Sequence, residues 1–366
     1  MLSSNRSLDG SISIKILMKK RPIILLFICI LTPSLLVFAL YLRAKQAEAP
    51  RLFERKIIAN AITNQQIKHI GLGCKSIAGI YHDTVYLETS RPGLLYRYDL
   101  NLQALDPFDL HVPADRRLAS RYYTTVNYPD ICIYGGNAGK IISGSMHTGH
   151  YTIHTIKVQL FSRAQFIHSN LHVLRGFVYK NKPEQYFVTQ AIHNNQILAM
   201  NQIIQKQQDY GLSEDGILAY DLQKSLLVYT SFYHADTWVM DTNLRVLRHF
   251  QTIDKTPRTS IRRSFIAANS RYKYTNAAPK RIVNYQTCLY NGELYVLSRA
   301  RSIHQPDSLL SHNACIDIYH YHSGTYLHSF YIPAIANEKP RQIKIQGDKL
   351  LALYKSHLAT YHLQLP

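Results

Sequence analysis

Ile217–Phe250 reads ILAYDLQKSLLVYTSFYHADTWVMDTNLRVLRHF, and four short apolar runs can be cut from it: ILAY, LLVYTSF, TWVMD and RVLRHF. Each run is too short for a helix, and the breaks between them carry Asp, Ser and Asn, side chains that hydrogen-bond turn backbone. Four strands joined by turns make a meander. A lone meander leaves apolar residues on both faces in water, so this unit has to stack against others like it.

The plan recurs along the chain. SIAGIY, TVYLETS, LLYRYD and QALDPFDL lie within Ser76–Leu110, and hairpins of the same kind are KIISGSMHTGHYTIHTI (Lys140–Ile156), QYFVTQAIHNNQILAMNQII (Gln185–Ile204) and ACIDIYHYHSGTYLHSFYI (Ala314–Ile332). Their turns are read as starting at Asp99, His147, His193, Asp241 and His322, and the first three steps are 48, 46 and 48 residues. That period belongs to propeller blades. The last unit, RQIKIQ, KLLALYK and LATYHLQL (Arg341–Leu365), has only three strands, which leaves an open edge. QQIKHIGL (Gln65–Leu72) is the run available to cover it, so that both ends of the domain close one ring.

The expected fold is all-β: a six-bladed propeller with blades at 76–110, roughly 120–156, 162–204, 216–250 and 284–332, and a shared closing blade. The pattern resembles the six-bladed TolB-like and NHL-like propellers, and in particular membrane-anchored propellers of bacteria. The resemblance covers residues 65–366 and rests on turn-and-strand patterns; there is no WD dipeptide.

Composition agrees. The chain has 27 Tyr, a single Trp and 46% apolar residues, enough for a large core with a β-leaning surface. Pro22–Leu42 is a run without charge, long enough to span a bilayer, and longer than the apolar region of a cleaved signal peptide. Lys19, Lys20 and Arg21 abut it and favour an amino terminus in the cytoplasm. The organisation read from the sequence is a cytoplasmic segment at 1–21, a transmembrane helix at 22–42, a linker at 43–64 and an extracytoplasmic propeller at 65–366. The expected location is the inner membrane, single-pass, with the propeller in the periplasm.

Several chemistries are disfavoured. His147, His150 and His154 look like a metal triad, but along a strand His150 and His154 are about 13 Å apart, whereas zinc needs nitrogens about 2 Å from the ion. GLSEDG (Gly211–Gly216) misses the spacing of a nucleophile elbow. Asn127, Asp130, Asn284 and Glu293 are the polar residues placed on or near inner strands, where a channel site would draw its groups. Cys74, Cys132, Cys288 and Cys315 show no metal or redox spacing and read as small buried hydrophobes. No catalytic residue, metal or cofactor is therefore assigned.

Net charge is +19, and the basic residues lack the organisation of a nucleic-acid reader. They concentrate in an insertion at 254–286, DKTPRTSIRRSFIAANSRYKYTNAAPKRIVNYQ, where Arg258, Arg262, Arg263, Arg271 and Lys273 are the candidate binding residues. The expected function is a binding or scaffolding module for a protein, peptide or anionic polymer. The alternative is a propeller enzyme or electron-transfer subunit with a site in the central channel. A topology reporter fused after Pro366 is expected to be active only in its export-dependent form; activity in its cytoplasmic form would reverse the orientation.

Overall fold

The computed structural model describes residues 25–42, 53–113, 115, 118, 122–179, 183–203, 211–258, 263–268, 271–276 and 281–365. The chain divides into two compact units, Met1–Arg51 and Leu52–Pro366. In the first, helix α1 spans Leu25–Leu42 and is long and apolar enough to cross a membrane. It runs through Pro33, with the Thr32 and Ser34 hydroxyls donating to the carbonyls of Ile28 and Ile30. The segment 1–21 and part of the linker, 43–52, lie outside the described residues.

The second unit is the propeller. Strand β1 (Ile62–His69) is followed by blade 1, made of β2 (Ser76–Tyr81), β3 (Thr84–Glu88), β4 (Leu94–Asp99) and β5 (Ala104–Asp109). Blade 2 holds β6 (Tyr123–Asn127), β7 (Asp130–Gly135), β8 (Lys140–Ser145) and β9 (Tyr151–Thr155). Blade 3 holds β10 (Leu160–His168), β11 (Leu171–Tyr179), β12 (Pro183–Ala191) and β13 (Gln196–Asn201). In blade 4 are β14 (Gly216–Asp221), β15 (Leu226–Ser231), β16 (Asp236–Asp241) and β17 (Val246–Gln251). A two-stranded hairpin, β18 (Arg263–Ala268) and β19 (Arg271–Asn276), forms the insertion. Blade 5 holds β20 (Asn284–Tyr290), β21 (Glu293–Ser298), helix α2 (Asp307–His312), β22 (Asn313–His320) and β23 (Thr325–Pro333).

Blade 6 is the closure anticipated from the short last repeat. Its strands β24 (Gln342–Gln346), β25 (Lys349–Leu353) and β26 (His357–Leu363) are joined by β1, in the order β1-β26-β25-β24. The β1–β26 pair is antiparallel, with Ile67 opposite Ala359 and His69 opposite His357. The closing strand begins at Ile62, three residues before the run picked out from the sequence.

Packing follows from the stacking of sheets. Every residue of β15 is buried, whereas β17 is mostly exposed, so the inner strands read as continuous apolar runs and the outermost meets water. Six buried clusters, one at each seam, join the blades in a ring. At the seam of blades 6 and 1, Leu351, Leu353 and Leu358 pack on Ile77, Val85 and Leu87. The aromatic runs around Tyr122 and Trp238 are part of this packing. All four propeller cysteines are buried free thiols, and burial pushes Cys74 up to about 11 and Cys288 to about 12.

The outer hairpins differ in detail from the sequence reading. At Asp99 and Asp241 the carboxylate accepts backbone N–H groups, from Asn101 and Gln103 and from Arg245, and Leu102 and Leu244 take positive φ. In blades 2 and 5, however, the turn opens at Ser145 and His320, whose carbonyls accept from the N–H of Gly149 and Gly324. His147 and His322 therefore sit inside the turns and do not hold the Asp position. Gly324, at φ 74°, also lies where a Cβ would meet Phe250 of blade 4 at 2.6 Å.

The residues before β1 are tied to blade 5 by a buried ion pair. Arg55 Nε donates to Asp317 Oδ1 at 2.7 Å and Nη2 to Oδ2 at 3.0 Å, with both side chains buried. Its remaining donors reach Gln305 Oε1, Ser298 Oγ and the Ala300 carbonyl. Burial alone would lower the Arg55 pKa, but the Asp317 charge outweighs it and holds the guanidinium protonated.

Two outcomes follow. Deleting residues 62–69 is expected to lower the unfolding temperature in a single cooperative transition, measured by calorimetry; loss of a local signal alone would contradict ring closure. The second concerns Glu88, buried at the blade 1–2 seam, where it accepts from Ser76 and Thr124. Burial raises its pKa to about 7 against the hydrogen bond from Ser76. A carboxyl with a raised folded pKa binds its proton more tightly when folded, so stability is lost as pH climbs from about 4.5 to about 7. Glu88→Gln should remove this term, with the variant gaining on the parent by about 3 kcal/mol between those limits in denaturant titrations; a pH-independent difference would contradict it.

Candidate anion-binding pocket

The blade-to-blade connections of the β5–β6 type and the second-to-third strand loops lie at the same end of each blade and make one face. On blade 4 this face is formed by Gly211–Asp215 and Phe232–Ala235, because Gly216 pairs with Ser231 and Asp236 with Gln251. On blade 5 it is formed by the residues before Asn284 and after Ser298, which pair with each other.

Blade 4 gathers a charged cluster there. His234 Nε2 lies 2.8 Å from Glu214 Oε2, and His234 Nδ1 lies 3.0 Å from Asp236 Oδ2. Asp236 also meets His249 Nε2 at 3.0 Å and accepts from Arg258 Nε at 2.8 Å. Arg258 lies over the Trp238 ring at 5.3 Å, against which His249 stacks. Burial works against the charge on His234, but its hydrogen bonds to Asp236 and Glu214 prevail and raise its pKa. Burial likewise opposes the Asp236 carboxylate, and His234 with Arg258 outweighs it, holding Asp236 well below the usual carboxylate range. Both imidazole nitrogens of His234 are engaged and the ring is buried, so this cluster is a structural lock between loops.

A second charged group lies beside it. Asp215 accepts from Arg163 Nη2 at 3.0 Å and from the buried Arg175 Nη1 at 2.9 Å, and Arg175 also donates to the carbonyls of Gly211 and Glu214. Leu212–Glu214 is a turn of 3-10 helix. GLSEDG thus provides two structural carboxylates, Glu214 and Asp215.

Blade 5 differs. Between its inner strands and blade 6 opens a cavity of about 480 Å³ whose lining includes Arg281, Arg299, Arg301 and Lys339. They come from three places: the end of the insertion, the β21–β22 loop and the approach to β24. Arg299 lies over the Tyr285 ring, 3.7 Å from its centroid. Arg301 Nη2 meets Asp307 Oδ1 at 2.7 Å, at the start of α2. Among the described residues no carboxylate lies in salt-bridge reach of Arg281, Arg299 or Lys339. Partial burial and the charge of Arg299 lower the Lys339 pKa. Leu297, Ala314 and Pro340 add apolar lining. Neighbouring Asn284 donates to the carbonyls of Ser231 and His234 and so ties this rim to the blade 4 lock.

The residues singled out from sequence fall as follows. Arg258 is described, and its charge is paired within blade 4. Arg262 lies outside the described residues. Arg263 lies on β18, and Arg271 and Lys273 on β19; of these the backbone alone is described. Asn127, Asp130 and Glu293 sit at first-to-second strand turns, away from the face that bears Asn284, so the four do not converge. His154 Nε2 meets Ser143 Oγ at 2.8 Å and its ring abuts His193. Among the described residues no three His, Cys, Asp or Glu side chains are grouped so as to hold a metal ion. Sequence reasoning missed Arg299, Arg301 and Lys339, since they fall in short connections outside the basic insertion.

No protein-family model and no curated protein matches the chain. Among solved structures, it is similar to a member of the DUF4221 family from Bacteroides vulgatus, with a TM-score of 0.53 at 11% identity over 85% of this chain and 99% of that one. It is also similar to virginiamycin B lyase from Staphylococcus aureus, with a TM-score of 0.47 at 10% identity over 82% of this chain and 100% of that one. A streptogramin B lyase structure gives 0.46 at 11% identity, over 84% and 100%. At 11% identity the likeness to the DUF4221 structure is one of fold alone; the six-bladed propeller itself is read from the sheet order of this chain.

Proposed function

We propose that the chain is a single-pass membrane protein whose propeller works outside the cytoplasm as a binding module for an anionic partner. α1 would be the anchor, and the face bearing the blade 5–6 cavity would be the recognition surface. The observation that carries this reading is the cluster of Arg281, Arg299, Arg301 and Lys339 around one cavity, where Asp307 is paired with Arg301. The basic insertion ends at this rim and adds Arg262, Arg263, Arg271 and Lys273 nearby in sequence. Attraction of this sort acts over about 8 Å at physiological salt, so a partner is held by contact and released as salt rises.

Retention of the full chain in detergent micelles on heparin, as a model polyanion, tests the reading. Replacing Arg262, Arg263, Arg271 and Lys273 by Gln is expected to bring elution to clearly lower salt with an unchanged unfolding temperature. Arg258→Gln should do the opposite. It breaks a partly screened charge-assisted hydrogen bond to buried Asp236, costing about 1–2 kcal/mol of stability, and should alter retention little. Parent-like elution of the fourfold variant would remove the insertion from the interface.

A further inference from the structure

The geometry points to the blade 5–6 cavity as a site for a polyvalent oxyanion carried on an apolar body, a sharper form of the binding function proposed above and resting on it. Arg281, Arg299, Arg301 and Lys339 line one cavity, and Asp307 offsets a single charge, through Arg301. A monovalent anion would leave most of that positive charge unanswered; an anion with two or more charges would not. Guanidinium forks suit phosphate and carboxylate oxygens alike, so the shared chemistry is a cluster of anionic oxygens. The volume, about 480 Å³, falls in the range of small-molecule sites and exceeds what a bare anion fills. Leu297, Ala314 and Pro340 offer apolar surface for the remainder of the ligand.

Two features suit the site to its charge. Arg299 is held by stacking on Tyr285, and its backbone N–H donates to the Val283 carbonyl at 2.7 Å, so its direction is fixed before a ligand arrives. The loop that carries Arg299 and Arg301 is braced from below by Arg55, which donates to Ser298 Oγ, the Ala300 carbonyl and Gln305 Oε1. Lys339 faces the Arg299 charge, so an anion between them relieves a repulsion as well as making new contacts.

The test is calorimetric titration of the full chain in micelles with pyrophosphate, citrate and acetate at equal ionic strength. Pyrophosphate and citrate are expected to bind at least tenfold more tightly than acetate. The double variant Arg299→Gln, Lys339→Gln, in which both side chains are exposed, should fold with the parent's unfolding temperature and lose at least tenfold in affinity. Near the Lys339 pKa, binding by the parent should take up protons, seen as a dependence of heat on buffer ionisation enthalpy, and Lys339→Gln should abolish it. Binding of pyrophosphate alone, or of citrate alone, would support the site and narrow its class to phosphate or to carboxylate. Acetate binding as tightly as the polyvalent anions, or full affinity in the double variant, would overturn it. Heparin retention that survives while all three anions fail would sink this inference and leave the binding function standing.

Discussion

A four-stranded sheet with two apolar faces is stable only between two other sheets, and a row of such sheets has no unsatisfied end only when it closes. Everything in this propeller depends on that closure. The strand that achieves it, β1, comes from the opposite end of the domain from its partner β26. The pairing brings Leu351, Leu353 and Leu358 of blade 6 against Ile77, Val85 and Leu87 of blade 1. Without β1, β26 would be an open edge in the last blade, and the seam that completes the ring would lose its backing.

The polar architecture is arranged around the same constraint. Arg55 lies just ahead of β1 and is buried against Asp317 in the middle of blade 5, so the chain enters the ring through a bidentate ion pair. Removing one partner would leave the other charge buried and unanswered, a cost of about 3–5 kcal/mol. Asp215 with Arg163 and Arg175, and Asp236 with His234 and Arg258, fasten the loops of blade 4 in a similar way. Asp215 and Asp236 thus lie where loops need holding.

Much of the ring could be read from the residues because its signals are local. Runs such as LLVYTSF and TWVMD are continuous because sheets cover them on both faces, and turn residues such as Asp99 and Asp241 mark the strand ends. The incomplete last repeat even pointed to its missing strand. What failed to show was the frame of turns with no Asp: at Ser145 the hydroxyl accepts from the His147 N–H where Asp99 uses its carboxylate, and at His320 the ring nitrogen accepts from the Ser323 N–H, weaker turn signals than the histidines beside them. The pocket was harder still. Arg281, Arg299, Arg301 and Lys339 are spread over 59 positions and share no spacing, and only the packing of blade 5 on blade 6 makes them neighbours.

The contrast between adjacent blades gives that pocket its meaning. A surplus of basic residues in a chain of net charge +19 is expected anywhere on its surface and by itself says little. At blade 4, however, the carboxylates on this face are met by arginines directly: Arg163 and Arg175 reach Asp215 from blade 3, and Arg258 meets Asp236. One blade further on, among the described residues, Arg281, Arg299 and Lys339 stand around a cavity without such a partner, and Arg299 is held on an aromatic ring. Like charges gathered at a concave site oppose folding, and the fold tolerates them there while cancelling them next door. That difference between neighbouring blades is what the proposed binding of an anionic partner rests on.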